Sequence, residues 1–504
     1  MKRQHHEISN NNSAVSSPPC WWYQISDEIR SQGGHVADCL EFDDTRREIV
    51  INHTVKPETL LFEFPATSMI SKEKALKLCP WLKNVKESDA VKFNNSTTDL
   101  ILATAMAAFP GLLYLQTLPE SASFDALPRR WHDNVVRDLL GSTSIYGHVQ
   151  AAKSGTKQDY ERLKGIFQNQ HQGSSSSFPS FPKFDDMLAA VTSRAFQIGT
   201  IEGDVALVPL LDLCNHSRGK DMKRNVSYQI VGSDAEDESP QRMVVRSVAT
   251  LQPGDTLILT YGALGNSQLL LNYGFCIAHN VEPDGSSNDV LEFVVEVDGK
   301  VIMVPLRAGP KSYSYGCFTK AVDAFRRKMI VQDTNDAHDA FDEDGDLERF
   351  LNETREHDNE EHNNDSVGGF DTIYEPEGWK DDGNFNEKGL GSNDVKEELY
   401  TLINLRQELV KRLKTLETAG CDDPISVSTE SNPAAYAAVL RHSERRTIYF
   451  FARAVEKVCQ KLSANDETKN DELRFFTSTD DFQLIEEQTT ELSNVYLVLR
   501  KGIM

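Results

Sequence analysis

Residues 206–217 read ALVPLLDLCNHS, and residues 251–262 echo them with LQPGDTLILTYG. In each, an apolar run of the kind that makes a buried strand breaks abruptly into a polar loop: Asp212, Asn215 and His216 close the first, Tyr261 and Gly262 the second. A strand fixes the position of its last residue while the loop beyond it exposes backbone and polar side chains, so such junctions are where ligand sites are built. Taken alone, the first stretch would be a strand and an Asx-type turn, with Asn215 and His216 serving local backbone groups. Its neighbours in the chain change that reading: VTSRAF stands at 191–196, and after the tyrosine come Asn266 and LNYGFC at 271–276.

This succession resembles the catalytic half of SET-domain protein methyltransferases, in the branch that includes Rubisco large-subunit methyltransferase and its non-histone relatives. The resemblance covers about residues 55–277, and begins with VKPETLLFEFPATSMIS at 55–71. It implies an α+β chain: a β-rich SET fold over 21–282, divided by a helical insert at about 72–190, then a mainly α-helical C-terminal domain over 283–504. It also implies S-adenosylmethionine as methyl donor and lysine of a non-histone protein as acceptor. Tyr261 matches the family's catalytic tyrosine; a phenol at a strand end can hold an amine in line with the methyl group. Asn215 and His216 match the NH pair that contacts the donor, with Asp212, Leu213 and Cys214 contributing mainly through backbone. Arg194 falls where the family places an arginine near the donor's carboxylate. Tyr273, Gly274 and Phe275 match the segment that packs under the donor, the glycine permitting close backbone approach. Phe196 and Phe275 would give the acceptor channel apolar walls that strip water from a lysine stem. A relative acting on actin histidine would be expected to carry a small polar residue in place of Phe196, so the phenylalanine points to lysine.

One departure stands out. The family opens with a glycine-rich turn whose backbone approaches the donor, and the matching residues here, Arg46 to Glu48 within TRREIV, contain no glycine. Gly33 and Gly34 lie too far upstream to replace it. The departure favours a rival reading, a non-catalytic SET-fold adaptor that binds basic partners; the retention of Tyr261, Asn215 and His216 speaks against it. A protein-histidine methyltransferase is the rival among enzymes.

Composition bounds the rest. A chain of 504 residues exceeds one ordinary core, so two or three domains are expected. A net charge of −24 argues against nucleic acid as a routine partner, since phosphate binding needs a concentrated cationic face, and leaves open a basic partner such as a lysine-bearing protein substrate. The eight cysteines show neither CxxC pairs nor metal-ligand spacing, which fits free thiols in a reducing compartment and no metal site. No run is apolar enough to span a bilayer, and residues 1–20 have no signal-peptide core. The expectation is a disordered leader on a cytoplasmic monomer, with nucleus and plastid left open.

Along the chain, periodicity predicts helices near 23–31, 99–109, 131–140 and 184–191, and strands near 48–52, 60–64, 226–231 and 243–248. A hairpin is expected at 290–304 around Asp298 and Gly299, a pair suited to a type I′ turn. Residues 332–394 carry too few large apolar side chains to fold alone and read as an acidic disordered insert. Asp342, Asp344 and Gly345 imitate a calcium loop, but Ala340 and Leu351 occupy its anchoring positions. Two apolar stripes, Leu399, Leu402, Ile403, Leu409, Val410, Leu413 and Leu416, then Ile448, Phe451, Ala452, Val455, Cys459 and Leu462, predict packed C-terminal helices.

Overall fold

The computed structural model describes residues 18–85, 94–171, 177–198, 204–218, 223–232, 241–297, 299–340, 392–418, 432–462 and 479–501. In chain order the first half runs α1 (Cys20–Ser31), β1 (His35–Val36), β2 (Leu40–Asp43), β3 (Glu48–Ile51), β4 (Leu60–Pro65), β5 (Ile70–Ser71), α2 (Lys72–Leu78), α3 (Thr97–Ala108), α4 (Asp133–Leu140), α5 (Tyr146–Gln170) and α6 (Phe181–Arg194). Then come β6 (Ala195–Gln197), β7 (Val205–Leu207), β8 (Asn215–His216), β9 (Val226–Val231), β10 (Arg242–Ser247), β11 (Ile258–Leu259) and α7 (Asn266–Tyr273). The hairpin β12 (Leu291–Val297) and β13 (Lys300–Leu306) leads to α8 (Lys311–Ala340), α9 (Ser392–Thr418), α10 (Pro433–Leu462) and α11 (Thr479–Lys501). The chain forms two compact units: residues 1–123 with 155–262, and residues 124–154 with 263–504.

The first unit is built of small sheets. In β4, LLFEFP, Leu61, Phe62 and Phe64 are buried and Glu63 turns toward solvent. β4 pairs antiparallel with β1 and β10, and β10 with β9, giving the order β1-β4-β10-β9. α1 starts after Pro19, whose fixed φ suits a helix entrance, and buries Trp21, Trp22, Ile25 and Ile29 on one face. The Trp21 ring meets Phe42 of β2 edge-on at 4.8 Å, tying that face to the β2–β3 hairpin. α3 is buried nearly all round beyond its polar first turn, as the largely apolar run LILATAMAA requires, and packs on α6.

The long run 206–214 does not form one strand. β7 ends at Leu207, and Leu210 then takes φ 73 and ψ −43, a positive-φ conformation near that of a γ-turn, which a leucine adopts only under constraint. A single 3₁₀ turn over Leu211–Leu213 follows. Asn215 and His216 then form strand β8, not the loop expected of them, parallel to β11 with Ile258 opposite Asn215 and Leu259 opposite His216. The two motif-bearing stretches of the sequence are thus laid side by side.

In the second unit the β12–β13 hairpin alternates cleanly. Leu291, Phe293, Val295, Val304 and Leu306 face a core shared with α8 to α11, where Phe318, Phe451 and Tyr496 meet. The α9 stripe differs from the expected one: Leu402, Leu409, Leu413 and Leu416 are buried together with Leu405, whereas Ile403 is 41% exposed. That is the stripe a continuous helix of 3.6 residues per turn selects. The expected disordered tract 332–394 is narrowed, since α8 runs to Ala340 and α9 starts at Ser392; residues 341–391, with most of the calcium-like stretch, lie outside the described residues. Residues 1–17 of the expected leader also lie outside them, while Cys20 already belongs to α1.

Candidate methyl-transfer site

The parallel pair β8–β11 organises the candidate site in the first unit. Tyr261 stands two residues beyond β11, and its backbone N–H donates to His216 Nδ1 at 2.8 Å. That bond requires an imidazole with a lone pair on Nδ1. Burial, with Arg218 nearby, pushes the His216 pKa down to about 4, so the ring is neutral near pH 7. The His216 and Tyr261 rings stack at 4.8 Å between centroids. At its far end the Tyr261 hydroxyl donates to the Cys214 carbonyl oxygen at 2.9 Å. Gly262 follows with φ 114, a backbone shape that side chains rarely allow. Tyr261 is therefore held at both ends by the segment it was expected to work with.

Asp212, at the centre of the 3₁₀ turn, is buried and accepts from the Tyr114 hydroxyl at 2.7 Å and from Arg194 at 3.1 Å through the same oxygen, Oδ2. Arg194 ends α6 and also donates to the Asp212 backbone carbonyl at 3.1 Å. Its guanidinium therefore makes a buried ion pair at a helix end instead of the exposed one a helix terminus usually offers. Burial works against the Arg194 charge, but the Asp212 carboxylate outweighs it and raises the pKa. Burial raises the Asp212 carboxyl above the ordinary carboxylate range, opposed by Arg194 and the Tyr114 hydroxyl. Asp212 Oδ1 is buried without a hydrogen-bond partner among the described residues, an acceptor left over at the heart of the candidate site. Leu213 and Cys214 are buried, and burial drives the Cys214 thiol well above its usual pKa, which removes it as a nucleophile.

Asn215 is exposed, and its Nδ2 donates to Glu48 Oε1 at 2.8 Å. Glu48 opens β3 in the block expected to hold the glycine turn. Asp43 Oδ1 caps that turn by accepting from the Thr45 and Arg46 N–H groups at 2.9 and 3.1 Å. Arg47 then supplies the left-handed residue, φ 56, with its guanidinium donating to the Thr117 carbonyl at 2.7 Å. The shape a glycine would give is reached by an arginine tethered at its tip.

Phe196 lies in β6 opposite Ala206, half-buried, its ring edge-on to Tyr228 at 5.5 Å. Tyr273, Gly274 and Phe275 fall in the second unit. There Tyr273 ends α7, Gly274 is its left-handed cap with φ 76, and the Tyr273 and Phe275 rings meet edge-on at 6.2 Å. The glycine is needed for that φ and for the close passage of residues 126–127, because a Cβ there would lie 2.9 Å from Ala126 Cβ. Sequence reasoning did not single out Tyr114, Glu48 as a partner of Asn215, or Leu210. The unusual block without glycine was the signal for Glu48; Tyr114, within an apolar run, had none.

Among the described residues no group of three or more His, Cys, Asp or Glu side chains could hold a metal, and no helix is long and apolar enough to cross a membrane. No protein-family model matches the chain. Among curated proteins it is similar to the actin-histidine N-methyltransferase of Danio rerio, 25% identical over 234 residues, which are 45% of this chain and 37% of that one. It is also similar to the ribosomal lysine N-methyltransferase set10 of Schizosaccharomyces pombe, 25% identical over 246 residues, 46% of this chain and 40% of that one. The match thus spans less than half the length of these relatives. The fold is similar to the SET domain of LSMT bound to lysine and AdoHcy, with TM-score 0.59 and 12% identity over 88% of this chain and 92% of that one. Rubisco LSMT bound to sinefungin and monomethyllysine gives 0.58 and 12%, over 92% and 99%. The chain has the LSMT-like SET fold with a helical C-terminal region, and its sequence is similar to those of actin-histidine and ribosomal-lysine methyltransferases.

Proposed function

We propose that the protein is an S-adenosylmethionine-dependent protein methyltransferase acting on lysine of a non-histone protein. The observation that carries the reading is Tyr261, anchored at its backbone to His216 and at its hydroxyl to the Cys214 carbonyl, beside the parallel pair that presents Asn215. Bound S-adenosylmethionine would supply a methyl carbon on a sulfonium: the amine nitrogen bonds to that carbon, the C–S electron pair leaves on sulfur as S-adenosylhomocysteine, and the nitrogen gives up a proton. The residues here fit such a donor. Asn215 presents a primary amide and neutral His216 adds no positive charge beside a sulfonium, while the Arg194 charge is already matched by Asp212. The Tyr261 hydroxyl, already turned to an acceptor, orients the attacking nitrogen, and Phe196 gives a lysine stem apolar company that favours its neutral amine.

The related structure holding lysine and AdoHcy supports the acceptor, as does the aromatic ring at Phe196. Histidine is the second reading, favoured by the actin-histidine N-methyltransferases among the similar proteins. Mass spectrometry of proteins methylated by the wild type and by Tyr261→Phe tests both. Methyl-lysine made by the wild type, with turnover lost by about a hundredfold or more in the variant, is expected. Methyl-histidine would move the acceptor, and an undiminished variant would remove Tyr261 from the chemistry.

A further inference from the structure

We infer that Glu48 is a positioning residue for the methyl donor, acting through Asn215. The inference rests on the reading that Asn215 contacts the donor. An asparagine amide can flip end for end, because its oxygen and nitrogen differ little in shape and a solvent-exposed side chain samples several rotamers. Asn215 is exposed, so packing does not select its orientation. The Glu48 carboxylate does: it is acceptor-only, and it takes Asn215 Nδ2 at 2.8 Å, which fixes which end of the amide is nitrogen. With one N–H so committed, the same amide presents its carbonyl oxygen and its second N–H in fixed directions. An acceptor and a donor side by side complement the ammonium and carboxylate of an α-amino acid, the chemistry at one end of S-adenosylmethionine.

Glu48 is itself held in place. It enters β3 opposite Asp43, whose side chain caps the preceding turn, and it follows the left-handed Arg47, anchored on Thr117. A non-glycine residue in that conformation persists only where its surroundings impose it, and here the imposed corner delivers a carboxylate to Asn215. The block without glycine, which from sequence argued for a lost donor site, thereby acquires a positive use. It supplies an anionic acceptor from β3 to a side chain on β8.

The test is a double-mutant cycle read by calorimetric titration of the full chain with S-adenosylmethionine: wild type, Glu48→Ala, Glu48→Gln, Asn215→Ala, and Glu48→Ala with Asn215→Ala. Glu48→Ala is expected to weaken binding about five- to tenfold, in line with the loss of one charge-assisted hydrogen bond. Glu48→Gln, whose amide oxygen still accepts, should recover most of it. In the Asn215→Ala background, removal of Glu48 should have no further effect, and the melting temperature should be unmoved throughout. A Glu48→Ala effect of equal size with and without Asn215 overturns the inference, as does wild-type affinity in Glu48→Ala. Failure of the folded wild type to bind any donor would instead overturn the underlying reading of the site, a result distinct from either.

Discussion

At the scale of single residues, Tyr114, Asp212 and Arg194 hold a carboxylate and a guanidinium away from water. Removing the cation leaves a buried carboxylate uncompensated, so Arg194→Met should cost about 3–5 kcal/mol in denaturant unfolding. Adding Asp212→Asn to that variant should restore part of the loss; no restoration would show that the arginine works by packing alone. His216 sets a pH dependence. Its pKa of about 4 in the folded chain lies below the ordinary 6.5, so between these values the unfolded chain binds more protons. The contribution is fully present above about 6.5 and is lost as pH falls through about 4. An NMR titration of the His216 ring checks it, and a midpoint near 6.5 would sink it. The residues of this site were named in the sequence where a strand gave way to polar side chains, as at Asn215, His216 and Tyr261. Tyr114 escaped because its hydroxyl is its only polar group, and nothing local announces an aspartate ninety-eight positions away.

At the scale of elements, periodicity located α1, α3, α4, α6, α9 and α10 and the strands β3, β4, β9 and β10, but it did not single out the long helices α5, α8 and α11. It failed at 206–216, where the apolar run reads as one strand and the chain instead makes β7, a 3₁₀ turn and β8. The break sits at Leu210, whose positive φ no propensity would assign to leucine and whose side chain is fully buried. The opposite case is α7, which ends on a residue suited to the job. Gly274→Ala would force a Cβ against residues 126–127 at positive φ, and a loss of about 1–3 kcal/mol in thermal or denaturant melting is expected. An unchanged melting point would mean that residues 126–127 yield without cost.

For the molecule as a whole, a charge of −24 on 504 residues would draw a basic acceptor protein of the proposed reaction in from a distance. Raising salt from about 0.05 to about 0.3 M shortens the range of that attraction, so KM for such an acceptor should rise several-fold with kcat little changed. A salt-independent KM would exclude long-range steering. The second unit carries a different consequence, for synthesis. It draws residues 124–154 into a core with the far end of the chain: Trp131, Val136 and Leu140 pack on Ala437 and Leu440, and Ser144 bonds Glu444 three hundred positions later. At about 5–20 residues per second, a ribosome needs on the order of 15–60 s to deliver those partners. For that interval a nascent tryptophan, valine and leucine stand without their native cover, a natural landing place for a chaperone, and a ribosome that stalls before α10 releases a chain that cannot bury them.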